Sequence, residues 1–327
     1  MILLLQYMAI YTAVLMLVAL GGCFSEHSGV INIGLEGIMV FGALGGALVM
    51  RYLPDGTSAV FVVLACVLAA MATGLLYSTL LAVAAVNFKA DQTLVGTAMN
   101  LLGTAAATVL VKAINQSANA SDVSSTIAYG AKRKAFLIFS DMQVNENSSE
   151  FAKALKTSEF SWLHVLAIIL LVVSFILLYR TRFGLRMRSC GEHPQASASV
   201  GINVFKMRYA GVLISGALGG LGGLTYITAG VSEWKFENGV AGFGFLALAV
   251  MIFGAWKPFR IALAALIFGI FRSLSNVYKG FDFLQNLLPG AVYNMLPYVI
   301  SLIVLIIFSK NSAAPKAEGI PYEQGMR

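Results

Sequence analysis

The chain is short of charge, of paired cysteines and of every common catalytic motif, and each shortage closes off a class of protein. Only 11% of its 327 residues are Asp, Glu, Lys or Arg, while 58% are hydrophobic. A soluble domain carries about a quarter charged residues, so a water-solvated globule is excluded, and so is one anchor on a large head. Roughly nine spans of about 20 residues would account for the apolar share. Met1–Phe24 and Ser58–Val86 are continuously apolar rather than alternating, which excludes a transmembrane β-barrel. Cys23, Cys66 and Cys190 are odd in number, far apart and without a CxxC pair, so neither a disulfide framework nor a zinc site is implied.

Catalytic patterns are missing too. His27, His164 and His193 stand alone, no GxSxG elbow occurs, and no Gly-Lys dipeptide exists from which a phosphate-binding P-loop could be built. Any ATP used in transport must therefore be hydrolysed by another polypeptide. No catalytic residues, cofactor or metal are expected. Met1–Gly22 looks like a signal sequence and Leu20–Cys23 like a lipoprotein cleavage box, but no charge precedes Glu26. A secretory signal needs a basic n-region, so the segment is read as a first membrane helix.

What is present is an all-α, polytopic pattern of eight to ten crossings. Nine spans can be placed: Ile2–Phe24, Leu35–Met50, Ser58–Val86, Leu94–Val111, Trp162–Tyr179, Tyr209–Ala229, Phe243–Ala255, Phe259–Leu274 and Ala291–Phe308. Residues 1–114 form a first membrane portion, 115–161 a polar insertion and 162–309 a second portion, with 310–327 expected to be a disordered tail. Gly-Ala-Leu-Gly-Gly occurs at Gly42–Gly46 and again at Gly216–Gly220. Both copies carry a GxxxG spacing that permits close helix approach, and a half-repeat is one explanation.

Charge orients the spans. Arg180, Arg182, Arg186, Arg188, Lys206 and Arg208 face the single acid Glu192 in the 180–208 loop, which the positive-inside rule puts in the cytoplasm. The net charge of +7 is then a basic membrane face and not a nucleic-acid footprint. Lys257, Arg260, Lys310 and Lys316 fall on the same side by counting, and the 115–161 insertion falls outside. Nine crossings with a cytoplasmic tail place the N-terminus outside, whereas a missed or re-entrant segment would place it inside.

Polar residues interrupt the apolar runs at few places. Ser25–Met39 is rich in glycine, amide and carboxylate, with Ser28, Asn32 and Glu36 at i, i+4 and i+8. A helix would put them on one face, whereas Gly29, Gly34 and Gly37 would permit an unwound segment at a cavity. An ionisable Glu36 should face protein or water rather than lipid. Gln92, Gly96 and Asn100 share a face at the start of a later span. Within the basic loop, Gly191, Glu192, His193, Pro194, Ala196, Ala198 and Gly201 belong to a short small-residue helix, with Pro194 in its first turn and Gly201 at its exit. Such a helix suits a groove on a partner protein. Gly239–Phe245 is a glycine-rich lead into another span, preceded by Trp234 and Glu237. The sequons at Asn115, Asn119 and Asn147 are at chance level.

At three of these blocks the chain resembles the permease subunits of bacterial ABC importers for ribose-like sugars, nucleosides and branched-chain amino acids. It is most similar to the nucleoside and simple-sugar branch. The blocks are Ser28–Met39, Arg182-Phe183-Gly184-Leu185-Arg186 through Gly201-Ile202-Asn203, and Gly242–Gly254, with Gln92–Asn100 as a weaker fourth. The resemblance implies a multi-pass protein of the bacterial cytoplasmic membrane. It also implies a second permease, a cytosolic ABC ATPase, and a periplasmic or lipid-anchored solute-binding protein. The family's coupling helix falls on Gly191–Asn203. The expected solute path is lined by Asn32, Glu36, Gln92, Asn100 and Phe243. Two other readings stay open on the residues: an ion-driven carrier or channel using Glu36 as its ion site, and a related permease for a vitamin such as riboflavin.

Overall fold

The computed structural model describes residues 2–140, 142, 150–229, 231–281, 289–308 and 314–323. Asp141, Glu146, Asn147 and Lys310 lie outside the described residues. The apolar runs fold as long helices: α1 (Ile2–His27), α2 (Leu35–Tyr52), α3 (Ala59–Ala82), α4 (Gln92–Ala118), a short α5 (Glu150–Lys156) and α6 (Trp162–Arg180). There follow α7 (Arg182–Glu192), α8 (Pro194–Ser199), α9 (Val204–Ile227), α10 (Phe243–Phe253), α11 (Pro258–Val277) and α12 (Gly290–Phe308). Among the described residues seven helices are long and apolar enough to cross a membrane, and α10 is a shorter apolar helix. Polar caps mark where the spans begin. The Asp91 carboxylate accepts from the Leu94 amide at 2.9 Å, and Asn203 does the same for Lys206 at 2.9 Å. Ser161 opens α6 with a reciprocal capping box in which the partner is His164. Each cap satisfies an amide that the first helical turn leaves unpaired.

The core is built around α1, α2 and α9. The two Gly-Ala-Leu-Gly-Gly copies pack on each other here: a Cβ at Gly42 would collide with the Gly220 backbone, and one at Gly74 of α3 with the Gly216 carbonyl. Three helices thus cross at backbone distance, where any side chain would force them apart. By contrast α3, α4 and α6 turn Leu64, Leu68, Leu76, Leu101, Val109 and Ile168 outward. A continuous apolar exterior of this kind is stable against lipid or a neighbouring apolar chain, not against water.

Helix directions follow from these contacts. Gly21 of α1 packs on Ser215 and Val18 on Gly222, so α1 and α9 are antiparallel. Helix α9 starts at the basic 180–208 loop, hence α1 ends there and the N-terminus lies at the opposite end of the bundle. The N-terminus and the basic loop therefore lie at opposite ends, as nine crossings would have them. At that far end the 115–161 insertion contributes strand β1 (Thr126–Ala128). It pairs antiparallel with β2 (Glu233–Lys235), with Ile127 opposite Trp234.

Two expectations are corrected. The stretch around Arg182–Glu192 is a helix rather than a loop, capped where the Thr181 hydroxyl accepts from the Gly184 amide at 3.1 Å. The tail is not wholly without structure. Residues 314–323 pack against the basic end, burying Ala317 and Tyr322. The segment is too polar to form a core alone, but it borrows one from the helices and finds backbone partners there.

Candidate functional site

Between α1 and α2 the chain leaves helical geometry from Ser28 to Gly34, and Gly29 adopts φ +94°. Ser28, Asn32 and Glu36 therefore do not share a helix face, and the unwound alternative is the one seen. An unwound segment at membrane depth must find partners for every freed peptide group. Local turns supply some: the Ser25 hydroxyl donates to the Val30 carbonyl at 2.7 Å and the Ser28 hydroxyl to the Ser25 carbonyl at 2.6 Å. The α4 face supplies others. Gln92 Oε1 accepts from the Ile31 amide at 2.7 Å. Asn100 bridges the bend, its Nδ2 donating to the Ile33 carbonyl at 2.9 Å while its Oδ1 accepts from the Gly37 amide at 2.9 Å. Gly96, between them, lets α4 approach Gly34 closely. Asn32 turns the other way and donates from Nδ2 to the Ser215 hydroxyl of α9 at 2.8 Å.

Glu36 meets a different element. Its Oε1 accepts from the Gly242 amide at 2.8 Å and its Oε2 from the Gly244 amide at 2.7 Å. Gly242 is the residue before α10 and holds φ +78°, a conformation costly for any residue with a Cβ. The carboxylate thus sits on the positive end of the α10 dipole and takes two of its unpaired amides. With 11 residues, α10 is about 16 Å long at 1.5 Å per residue, half of a membrane span. It begins beside Glu36 and ends at the basic end. There the Trp256 indole donates to the Glu26 carboxylate, and the Trp256 carbonyl accepts from Cys23 at 3.2 Å. A broken helix whose N-terminus opens at mid-depth is the usual architecture of a transport path.

Two atoms of this bracing have no partner: Asn32 Oδ1 and Gln92 Nε2 are buried without a hydrogen bond. They offer one acceptor and one donor beside the bend. Phe243 is buried in an aromatic group, its ring centroid 4.6 Å from Tyr226 and 5.3 Å from Tyr11. The Arg272 guanidinium lies 5.3 Å from the Phe243 centroid and 6.0 Å from that of Tyr11, with its Nε unpartnered. Sequence reading missed Arg272 because it sits inside the apolar Phe259–Leu274 run; an ionisable residue within a span was the available signal. Trp234 packs edge-on against Tyr226 at 5.3 Å and donates to the Gly239 carbonyl at 3.2 Å, which joins it to this group.

At the basic end α7 and α8 form a groove of about 720 Å³ lined by Arg182, Arg186, Glu192, His193, Ala196 and Val200. Pro194 occupies the first position of α8 and Gly201 leaves it at φ +84°, as the residues foretold. Not all of the expected helix is available to a partner. Pro194 is buried, Gly191 lies against the His27 carbonyl, and Ala198 is half-buried. Arg180, Arg182, Arg186 and Lys206 are exposed. Arg188 instead stacks over Tyr179 at 4.6 Å, and Arg208 is buried, donating from Nη2 to the Ile320 carbonyl at 2.8 Å.

Residues 4–308 match the family model described as the permease component of branched-chain amino acid transport systems. The chain belongs to that permease family. The permease is 40% identical to the guanosine ABC transporter permease NupQ of Bacillus subtilis, over 97% of this chain and 95% of that one. It is 37% identical to the nucleoside ABC transporter permease NupC of Lactococcus lactis, over 96% and 95% of the two chains. The nucleoside permease NupB of the same organism is 26% identical over 48% of this chain and 42% of its own. No solved structure matches it significantly. The permease is the multi-pass membrane subunit of an ABC transporter and works with other subunits in the cytoplasmic membrane.

Proposed function

We propose that this permease imports nucleosides. The observation carrying the reading is its similarity along nearly the full length to permeases named for guanosine and for nucleosides. The site chemistry supports it: Asn32 Oδ1 and Gln92 Nε2 are a free acceptor and donor for an uncharged polar solute, and the rings around Phe243 would take a flat base. Glu36 and Asn100 hold the bend open to this path rather than touch the solute, since their polar atoms serve backbone amides and a carbonyl. That same engagement of Glu36 speaks against an ion-binding carboxylate, and so against a self-sufficient carrier.

The basic end faces the cytoplasm, and the insertion and N-terminus face outside. A separate ATPase docks in the α7–α8 groove and closes when it binds ATP, which it then hydrolyses. Helix α8 passes that motion to the bundle, and the path opens alternately to either side. A second permease pairs with this one, a role to which the occurrence of two distinct similar permeases in Lactococcus lactis lends support. A solute-binding protein delivers nucleoside to the outer face.

The test is uptake of labelled guanosine by vesicles holding the complete importer. ATP-dependent uptake that unlabelled nucleosides compete and sugars do not is the expected result. Competition by sugars alone would replace the solute class, and uptake by this chain alone without ATPase would remove the importer reading.

A further inference from the structure

The segment Ala314–Glu323 is bonded to two functional elements at once. The Ala317 amide donates to the Gly191 carbonyl at 2.8 Å, at the end of α7 beside the α8 groove. Two residues on, the Gly319 amide donates to the Gly29 carbonyl at 3.3 Å, within the bend. Buried Arg208 at the start of α9 holds the Ile320 carbonyl at 2.8 Å, and its guanidinium also lies against Gly29. Beyond these, Tyr322 sits edge-on to Phe205 at 5.3 Å, and Glu323 pairs with Lys89 ahead of α4 at 2.6 Å. Pro315 lies against Gly191, and Ile31 of the bend lies against Gly319.

The attachments do not resemble a tail resting on a surface. Gly191 and Gly29 belong to the coupling face and the solute path, and the two amides that grip them are only two residues apart in a turn. Ala317 and Tyr322 are each 6% exposed, so detaching the segment would uncover them and leave a buried arginine without its carbonyl, which is costly. A short turn fastened at both ends moves with both.

We propose that Ala314–Glu323 is a coupling strap that carries displacement of α7–α8 to the Ser28–Gly34 bend. The inference rests on the reading of the α7–α8 groove as the ATPase docking site. Motion of the ATPase reaches α8, shifts the Gly191 carbonyl, and through Ala317 and Gly319 pulls on Gly29. The bend is held to α4 by Gln92 and Asn100, so the strap adjusts the same element that those amides brace. Losing the strap leaves ATP hydrolysis running with little solute moved.

The experiment uses the complete importer in vesicles and reads guanosine transported per ATP hydrolysed, with co-purification of the ATPase as a control. Two versions are compared with the native chain: one ended after Ser309, and full-length A317P, which lacks the amide that reaches Gly191. The expected result is continued hydrolysis and ATPase co-purification with the transport ratio lowered about tenfold, the size of an ordinary coupling energy. If truncation prevents assembly, A317P alone decides. A ratio within twofold of native in A317P overturns the strap, and so does increased uptake on truncation, which would mark an inhibitory tail. A196W, placed in the groove, separates this from the docking reading: if it leaves ATPase binding intact, the docking site is wrong, whatever the strap variants do.

Discussion

Glu36 Oε2 accepts from the amide of Gly244 at 2.7 Å, tying the first turn of α2 to the first turn of α10 across 208 residues of sequence. This contact joins the unwound bend to the broken helix, two irregular elements of the bundle. Replacing Glu36 by Ala leaves one buried and one half-buried amide unpaired, a loss of roughly 2–6 kcal/mol at 1–3 kcal/mol each. E36A is expected to lower the melting temperature of the purified permease and reduce uptake, with E36Q intermediate, since its Oε1 still accepts from one amide while its Nε2 cannot accept from the other. A variant E36Q that melts normally yet transports nothing would show a proton or ion role instead.

The glycine crossing sets the spacing of α2, α3 and α9. Cβ atoms at Gly42 and Gly220 would meet backbone rather than yielding side-chain ends. G220A and G42A should each cost about 1–3 kcal/mol through forced backbone shifts, seen as lower thermal stability in detergent. G201A, by contrast, places a Cβ at a positive φ with nothing within 4 Å of it. It is expected to lose only the roughly 1–2 kcal/mol of left-handed strain.

Arg272 should matter through its planar face as well as its charge. Lysine cannot reproduce stacking against Phe243 and Tyr11, so R272K is expected to raise the apparent KM for guanosine uptake several-fold, and R272M more. Equal KM values for R272K and the native permease would remove Arg272 from the solute path.

Glu318 provides a pH dependence. Burial pushes its carboxyl up to about 7, and the carboxyl of Glu26 on α1 lies within electrostatic reach of it. In the detached segment the group returns to the ordinary carboxylate range. The attached form therefore holds its proton where the free form has lost it, so attachment weakens as pH rises from the ordinary range towards 7. It is complete at lower pH and changes no further above. A cysteine in place of the buried Tyr322, labelled with a thiol reagent, should become more accessible between pH 5 and 7.5, and E318Q should flatten that rise.

Much of this permease could be read from residues alone. The runs Trp162–Tyr179 and Phe259–Leu274 agree with α6 and α11 to within a few residues at each end, because lipid selects for local apolar length and a span's limits are written where polarity returns. Pro194 and Gly201 marked α8 for the same reason, since φ restriction and φ freedom are properties of one residue. Gln92, Gly96 and Asn100 share a helix face by spacing, and that face does meet the bend.

Other features depended on contacts between distant parts of the chain. Nothing near Glu36 in sequence says that its partners are Gly242 and Gly244, or that Asn32 and Glu36 point to different helices. Arg208 reads as one more cationic residue in a basic loop, yet it is buried beneath a tail whose composition resembles disorder. That the N-terminus lies at the end away from the basic loop was decided by the antiparallel packing of α1 on α9. The scarcity of charge therefore determined that the chain spans a membrane and roughly where, since transfer into lipid is a local cost counted residue by residue. Which polar atoms brace, which remain free, and how the α7–α8 face reaches the bend were decided by tertiary structure. Hydrogen bonding at membrane depth depends on which partner is within about 3 Å, and only the packed bundle determines that.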